Sequence, residues 1–300
     1  MIIRVVLLTI LVMTGLAFSL AWRRALNIRQ DTGRWPSPIQ LAIGLVTDFF
    51  DTLGIGSFAT TTAAYKLFNV VRDEQLVGTM VIGHSLPVVA QALIFIAAVQ
   101  VDPIVLGSLI AVSVLGGWVG AGICSRLPVR PIQITISIGL IAAATFMMMS
   151  QLGVFPAGGT ALTLPAGKLA FALVVNFILG ILLMLGIGHY APSLIIFSLL
   201  GMDPRAAFPI MMGSGALMGM AGGFRFIRAG KFNTNAALGL TLGGIPGVLV
   251  AGLVVKSLPL SVLRWMVVGV VIYAAAMMLR SATKRPDAAA TPAQEPVPTS

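Results

Sequence analysis

The chain has 300 residues, of which 58% are apolar and only 9% charged, and its mean hydropathy is +1.01. A soluble domain is roughly a quarter charged, so the bilayer is the solvent here and no sizeable soluble domain fits. The formal charge of +10 sits in short Lys and Arg clusters between apolar runs, a topology signal that argues against a nucleic-acid partner. Cys124 is the only cysteine, so the chain has no internal disulfide and no cysteine metal cage.

Residues 2–21 are apolar, with Arg4 at the start and Arg23, Arg24, Arg29 and Arg34 behind them. A cleaved secretory signal has the reverse bias. Residues 1–22 are therefore expected to form an uncleaved transmembrane helix with its N-terminus outside. Apolar segments follow at 38–68, 76–99, 103–124, 131–149, 168–200, 206–224, 236–255 and 260–278, and the first four resemble the next four. Leu53-Gly54-Ile55-Gly56-Ser57-Phe58-Ala59 is echoed by Leu185-Gly186-Ile187-Gly188-His189-Tyr190-Ala191, with Gly83 and Gly215 at the same offset. Leu115-Gly116-Gly117 with Gly120 matches Leu242-Gly243-Gly244 with Gly247, and Leu127-Pro128 matches Leu258-Pro259. The expected organisation is a membrane repeat over 38–150, a linker over 151–167, a second repeat over 168–280 and a disordered tail over 281–300, rich in Ala, Pro and Thr.

The first segment of each repeat is over thirty residues long and carries Gly-x-Gly near its middle, where a straight helix wants neither glycine. Thirty residues would span about 45 Å at 1.5 Å each, too long for one straight crossing of a layer of roughly 30 Å. A break is expected at each Gly-x-Gly. If the broken segments cross, eleven Lys and Arg fall inside and eight outside; if they turn back, the split is fourteen to five. Cytoplasmic loops hold the excess, so the hairpin is favoured. A hairpin plus three crossings is an odd count, which makes the second repeat enter from the opposite face. The expected fold class is an all-α integral membrane protein of two pseudo-symmetric, inverted repeats, each a broken or re-entrant helical segment plus three transmembrane helices, after one N-terminal helix.

A broken helix in a bilayer leaves backbone groups that are tolerated only in protein or at a watery cavity. The half-helices starting near Ser57 and His189 point free N–H groups and a positive dipole end at the gap, which suits an anion. Gly54, Gly56, Gly186 and Gly188 allow close approach, while Ser57, Thr60, Thr61 and Thr62 on one side and His189, Tyr190 and Ser193 on the other supply donors. The competing reading is that these glycines only tighten helix packing. Asp48 and Asp51 stand three apart on one helical face in an apolar stretch, where acids are costly unless used. Proton or cation coupling is one such use; hydration at the cytoplasmic mouth or capping of the break is the alternative. Their counterparts are Gly180 and Leu183, which confines the role to one half. His84 and His189 are the only histidines, and both fall inside apolar segments, where imidazole can carry a proton near neutrality. His84 joins the coupling candidates and His189 the ligand contacts. Gln91 and Asn176 read as interhelical hydrogen-bonding residues, and the methionines as packing residues rather than metal ligands. No Walker loop, dinucleotide fingerprint or catalytic triad is present, so neither an ATP-driven pump nor an enzyme is expected, and no cofactor or metal is invoked.

The two Gly-x-Gly segments, each followed by a short loop and a small-residue helix, resemble the TauE/SafE sulfite exporter family over residues 38–278. The resemblance implies a multi-pass permease of the bacterial inner membrane for sulfite, sulfonates and related small anions, and the C-terminus is expected on the cytoplasmic side. Its glycines would be Gly54 and Gly56 in one copy and Gly186 and Gly188 in the other; Ser57 and His189 stand where a further glycine is typical, and Pro192 follows only in the second copy. The leading reading is a secondary transporter of a small anion, with lipid and a small solute as partners. A passive anion channel and a cation-coupled transporter using Asp48 and Asp51 are the alternatives. Substrate, direction and homo-oligomeric state are left open.

Overall fold

The helices begin and end where local chemistry says they should. Ser37 accepts from the Gln40 N–H while the Gln40 side chain accepts from the Ser37 N–H, a capping box with Pro38 at the first helical position. Asp102-Pro103 and Asp203-Pro204 open two long helices in the same way, each carboxylate accepting first-turn N–H groups. The computed structural model describes residues 2–29, 35–154 and 158–254, together with Ile272, Ala276 and Leu279. Among them the helices are α1 (Ile2–Arg29), α2 (Pro38–Thr52), α3 (Ser57–Leu67), α4 (Asp73–Ala98), α5 (Pro103–Cys124), α6 (Val129–Gln151), α7 (Ala166–Met184), α8 (Tyr190–Leu199), α9 (Pro204–Ala229) and α10 (Thr234–Val254). Seven of these, α1, α4, α5, α6, α7, α9 and α10, are long and apolar enough to cross a membrane, and no strand occurs among the described residues. Most of the expected helix at 260–278, the Leu258-Pro259 echo, the tail at 281–300 and positions 155–157 of the linker lie outside the described residues.

The two breaks are built alike. Leu53, Gly54 and Ile55 donate to the carbonyls of Phe50, Asp51 and Phe50; Leu185, Gly186 and Ile187 donate to those of Leu182, Leu183 and Leu182. Each is a Schellman ending, with Gly54 at φ +82° and Gly186 at φ +92° in the left-handed position that favours glycine. The half-helices close alike too: Val70 donates to Tyr65 and Met202 to Phe197, around Asn69 (φ 51°) and Gly201 (φ 90°).

Named contacts fix the directions. Along α10, Gly44 faces Gly239 and Leu240, whereas Asp48 faces Gly244 further on, so α2 runs parallel to α10. The returning α3 runs against α4: Thr61 meets His84, Thr62 meets Met80, and Lys66 pairs with Asp73. Tyr65 donates to the Ala236 carbonyl, back at the level where α2 began. In the second copy α7 runs along α5, with Asn176 at Leu109 and Ile181 at Gly120. The foot of that hairpin is tied by Lys168, near the start of α7, donating to the Leu200 carbonyl just past α8 at 2.7 Å. Both segments therefore turn back at their breaks. At the centre α4 and α9 lie antiparallel, Gly78 against Phe226 and Val88 against Gly215.

The repeated glycine faces serve this packing. Gly116 and Gly120 of α5 receive the backbone of α7 at Phe177 and Ile181, and Gly243 and Gly247 of α10 receive that of α2 at Leu41 and Leu45. Each repeat thus clamps the hairpin of the other. A β-carbon on Gly44 would stand 2.7 Å from the Gly239 and Leu240 carbonyl oxygens. Gly44→Val is expected to lower the unfolding temperature in detergent by about 2–10 °C, as overpacking costs about 1–3 kcal/mol. Gly107→Val, where nothing lies within 4 Å, should leave it nearly unchanged.

Candidate functional site

The N-terminal ends of α3 and α8 meet between α4 and α9. A β-carbon on Gly188 would lie 3.7 Å from Phe58 Cβ, and around this junction is a cavity of about 40 Å³. One water needs about 10–15 Å³, so there is room for about three waters or one solute of a few heavy atoms. The first hairpin contributes Asp51, Gly56, Ser57 and Phe58; the second contributes Leu183, Gly188, His189 and Tyr190. From α4 come Val81, His84, Ser85 and Val88, and from α9 Gly215 and Gly219.

The first N–H groups of α3 and α8 have no turn behind them to satisfy them, so both helices turn their electropositive ends to the cavity. Gly56 caps α3 at φ +93° with nothing within 4 Å of a would-be β-carbon, and His189 caps α8. The His189 ring lies edge-on to Tyr190 and donates from Nε2 to the Met211 carbonyl at 3.0 Å. Gly215 makes room for that ring: a β-carbon there would stand 3.1 Å from His189 Cε1.

Behind the lining runs a buried polar network. Asp48, with no exposed surface, accepts from His84 Nδ1 at 2.9 and 3.0 Å, and His84 Nε2 meets Thr61 Oγ1 at 2.9 Å. Since a carboxylate only accepts, Nδ1 carries hydrogen; Nε2 accepts from Thr61 when the ring is neutral and donates when it is protonated. The Asp48 carboxylate fits only because position 244 is glycine, where a β-carbon would overlap Oδ2. Asp51 accepts from Gln91 Nε2 at 2.9 Å, Gln91 also donates to Thr52, and Tyr190 donates to Gln91 Oε1 at 3.1 Å. This last bond joins the two hairpins through α4.

The residues singled out from sequence divide accordingly. Gly56, Ser57, Gly188, His189, Tyr190, Asp51 and His84 line the cavity. Gly54 and Gly186 shape the turns, Asp48 and Thr61 stand behind His84, and Thr60 donates to the carbonyls of Gly56 and Ser57. Ser193 is buried with an unpartnered hydroxyl, and Asn176 donates to Leu109 and Ser214 across helices. Sequence reasoning missed Ser85 and Gly219 and saw Gly215 only as the counterpart of Gly83. Their place opposite the breaks, fixed by the antiparallel crossing of α4 and α9, leaves no local signal. Among the described residues no group of three or more metal-ligating side chains gathers.

Paired hairpins that turn back, seven long apolar helices among the described residues and a small cavity backed by a buried polar network define a multi-pass membrane protein. The family model described as Sulfite exporter TauE/SafE matches residues 168–299, from α7 onward. The match and the apolar helices support a transport protein of the permease kind. No curated protein and no solved structure gives a significant match.

Proposed function

We propose that this protein is a secondary transporter of a small anion such as sulfite or an organosulfonate, bound where α3 and α8 meet. The observation that carries the reading is the convergence of two helix N-termini from two matched hairpins on one small buried cavity. The same geometry supports an inverted-repeat organisation. The matched helices α4 and α9 run antiparallel, and the tip at Gly54 lies by Phe208 near the start of α9 while the tip at Gly186 lies by Val77 near the start of α4. Rocking one hairpin against the other would open the cavity to alternate faces.

Sidedness follows from charge. Arg23, Arg24, Lys66, Arg72, Arg126, Arg130, Arg225, Arg228 and Lys231 gather at one end of the bundle, against Arg4, Lys168 and Arg205 at the other. The excess of Lys and Arg supports reading the first end as cytoplasmic, with the N-terminus outside in a bacterial-type inner membrane. Coupling belongs to Asp48, Asp51 and His84, whose repeat counterparts carry no such groups. Asp51 also favours a second reading, cation coupling, because it puts a carboxylate at the cavity wall.

The test is uptake and efflux of labelled sulfite and sulfonates by purified protein in proteoliposomes, with pH and sodium gradients imposed separately. Saturable flux driven by the pH gradient supports a proton-coupled anion transporter, and drive by sodium alone supports the cation reading. Flux that saturates under no gradient and shows no accumulation indicates a channel. No flux of any anion by folded protein contradicts the assignment.

A further inference from the structure

We propose that the anion bound is a protonated one, an oxyanion carrying an O–H such as hydrogen sulfite, which donates that hydrogen to the Asp51 carboxylate. The inference rests on the anion-transport reading and narrows it to one class of substrate. It comes from counting which donors of the cavity wall are still free. Ser85 Oγ donates to the Val81 carbonyl at 2.6 Å, Tyr190 Oη to Gln91 Oε1 at 3.1 Å, and His189 Nε2 to the Met211 carbonyl at 3.0 Å. His84 gives its Nδ1 hydrogen to Asp48, and its Nε2 is engaged by Thr61. Ser57 stands beside Asp51 at the cavity wall.

Apart from the Ser57 hydroxyl, the side-chain hydrogens of the wall are thus spent inside the protein. What the side chains keep for a ligand is lone pairs: on Asp51, on the Ser85 oxygen, and on Nδ1 of neutral His189, whose Nε2 holds the hydrogen. The free donors are main-chain N–H groups at the openings of α3 and α8, and Pro192 supplies none in the first turn of α8. An oxyanion with every oxygen bare would satisfy those N–H groups but set lone pairs and charge against Asp51, 2% exposed, with no hydrogen between. An oxyanion with one O–H satisfies both sides: its bare oxygens take the N–H groups and its hydroxyl donates to the carboxylate. The volume of about 40 Å³ suits a solute of that size. No bond is made or broken beyond the hydrogen bond, and this hydrogen stays on the anion, apart from any coupling proton held by the Asp48–His84 pair.

The test compares two inhibitors of labelled sulfite counterflow in proteoliposomes: hydrogen selenite, which has the hydroxyl, and methanesulfinate, a pyramidal monoanion with a methyl group where hydrogen sulfite has its hydroxyl. Wild type should be inhibited by hydrogen selenite and about 100-fold less well by methanesulfinate, because a buried acceptor rejects an analogue that lacks the hydrogen it needs. Asp51→Asn should shrink that gap to about tenfold or less, since its side chain is uncharged and no longer demands a hydrogen from the anion. Equal inhibition of wild type by both anions overturns the proposal. The wild-type comparison decides the matter even where the variant does not fold. If sulfite shows no saturable flux, the transport reading has failed instead. Thermal-shift binding of the two anions to wild type then judges the site: preference for selenite upholds the inference, and equal or no binding rejects it.

Discussion

Gly188→Leu is expected to fold and to abolish flux, by about 100-fold or more if the side chain fills a cavity that holds about three waters. Gly188 has an ordinary backbone conformation, and a β-carbon there meets only Phe58 Cβ at 3.7 Å, so a side chain can be added without backbone strain. That side chain enters a cavity of about 40 Å³ and displaces the solute. Gly186→Leu, two residues earlier, should behave differently. Gly186 sits at φ +92° with Ile136 Cγ1 2.6 Å from the would-be β-carbon, and the left-handed backbone costs a side chain about 1–2 kcal/mol before any overlap. It should express poorly and melt early. Normal melting with lost sulfite flux in Gly188→Leu, beside early melting in Gly186→Leu, separates site from scaffold. Normal flux in Gly188→Leu would show that the solute passes elsewhere.

Asp48→Asn is the second large effect. The asparagine oxygen still accepts from His84 Nδ1, so the buried contact survives while the charge that would stabilise an imidazolium is gone. Gradient-driven accumulation should disappear while downhill sulfite exchange stays within about tenfold of wild type, the size of change one altered hydrogen bond brings. Asp48→Leu should also lose stability, by about 1–3 kcal/mol, because it strands the His84 hydrogen in the interior. The check is accumulation against exchange in the same vesicles. Accumulation unchanged in Asp48→Asn would take coupling away from the Asp48–His84 pair.

Much of this was legible in the sequence because it is written locally. A Schellman ending needs glycine at one position, so Gly54 and Gly186 announced both breaks. The Lys and Arg counts favoured hairpins that turn back, as the contacts of Tyr65 and Lys168 show. The matching ends of α3 and α8 stayed hidden because Asn69 does in one copy what Gly201 does in the other. The Leu-Gly-Gly echoes were visible as a repeat but not as clamps on the opposite hairpin, since that pairing crosses from one half of the chain to the other.

The site itself was legible only in part. Asp48 and Asp51 share a helical face, yet one bonds His84 behind the cavity and the other lines it, because Gly244 and Gln91 draw the carboxylates apart. The threonines of α3 looked like donors to a ligand, but Thr60 bonds its own helix and Thr61 bonds His84. The bond from Tyr190 to Gln91 joins residues 99 apart in sequence, beyond the reach of any periodicity.

The most direct test of the central claim is a crystal structure of the protein soaked with selenite, read by selenium anomalous scattering. The anion is expected between the Gly56–Ser57 and Gly188–His189 backbones, within hydrogen-bonding distance of the first N–H groups of α3 and α8. A selenium peak elsewhere in the protein, with this cavity empty at saturating selenite, would contradict the account.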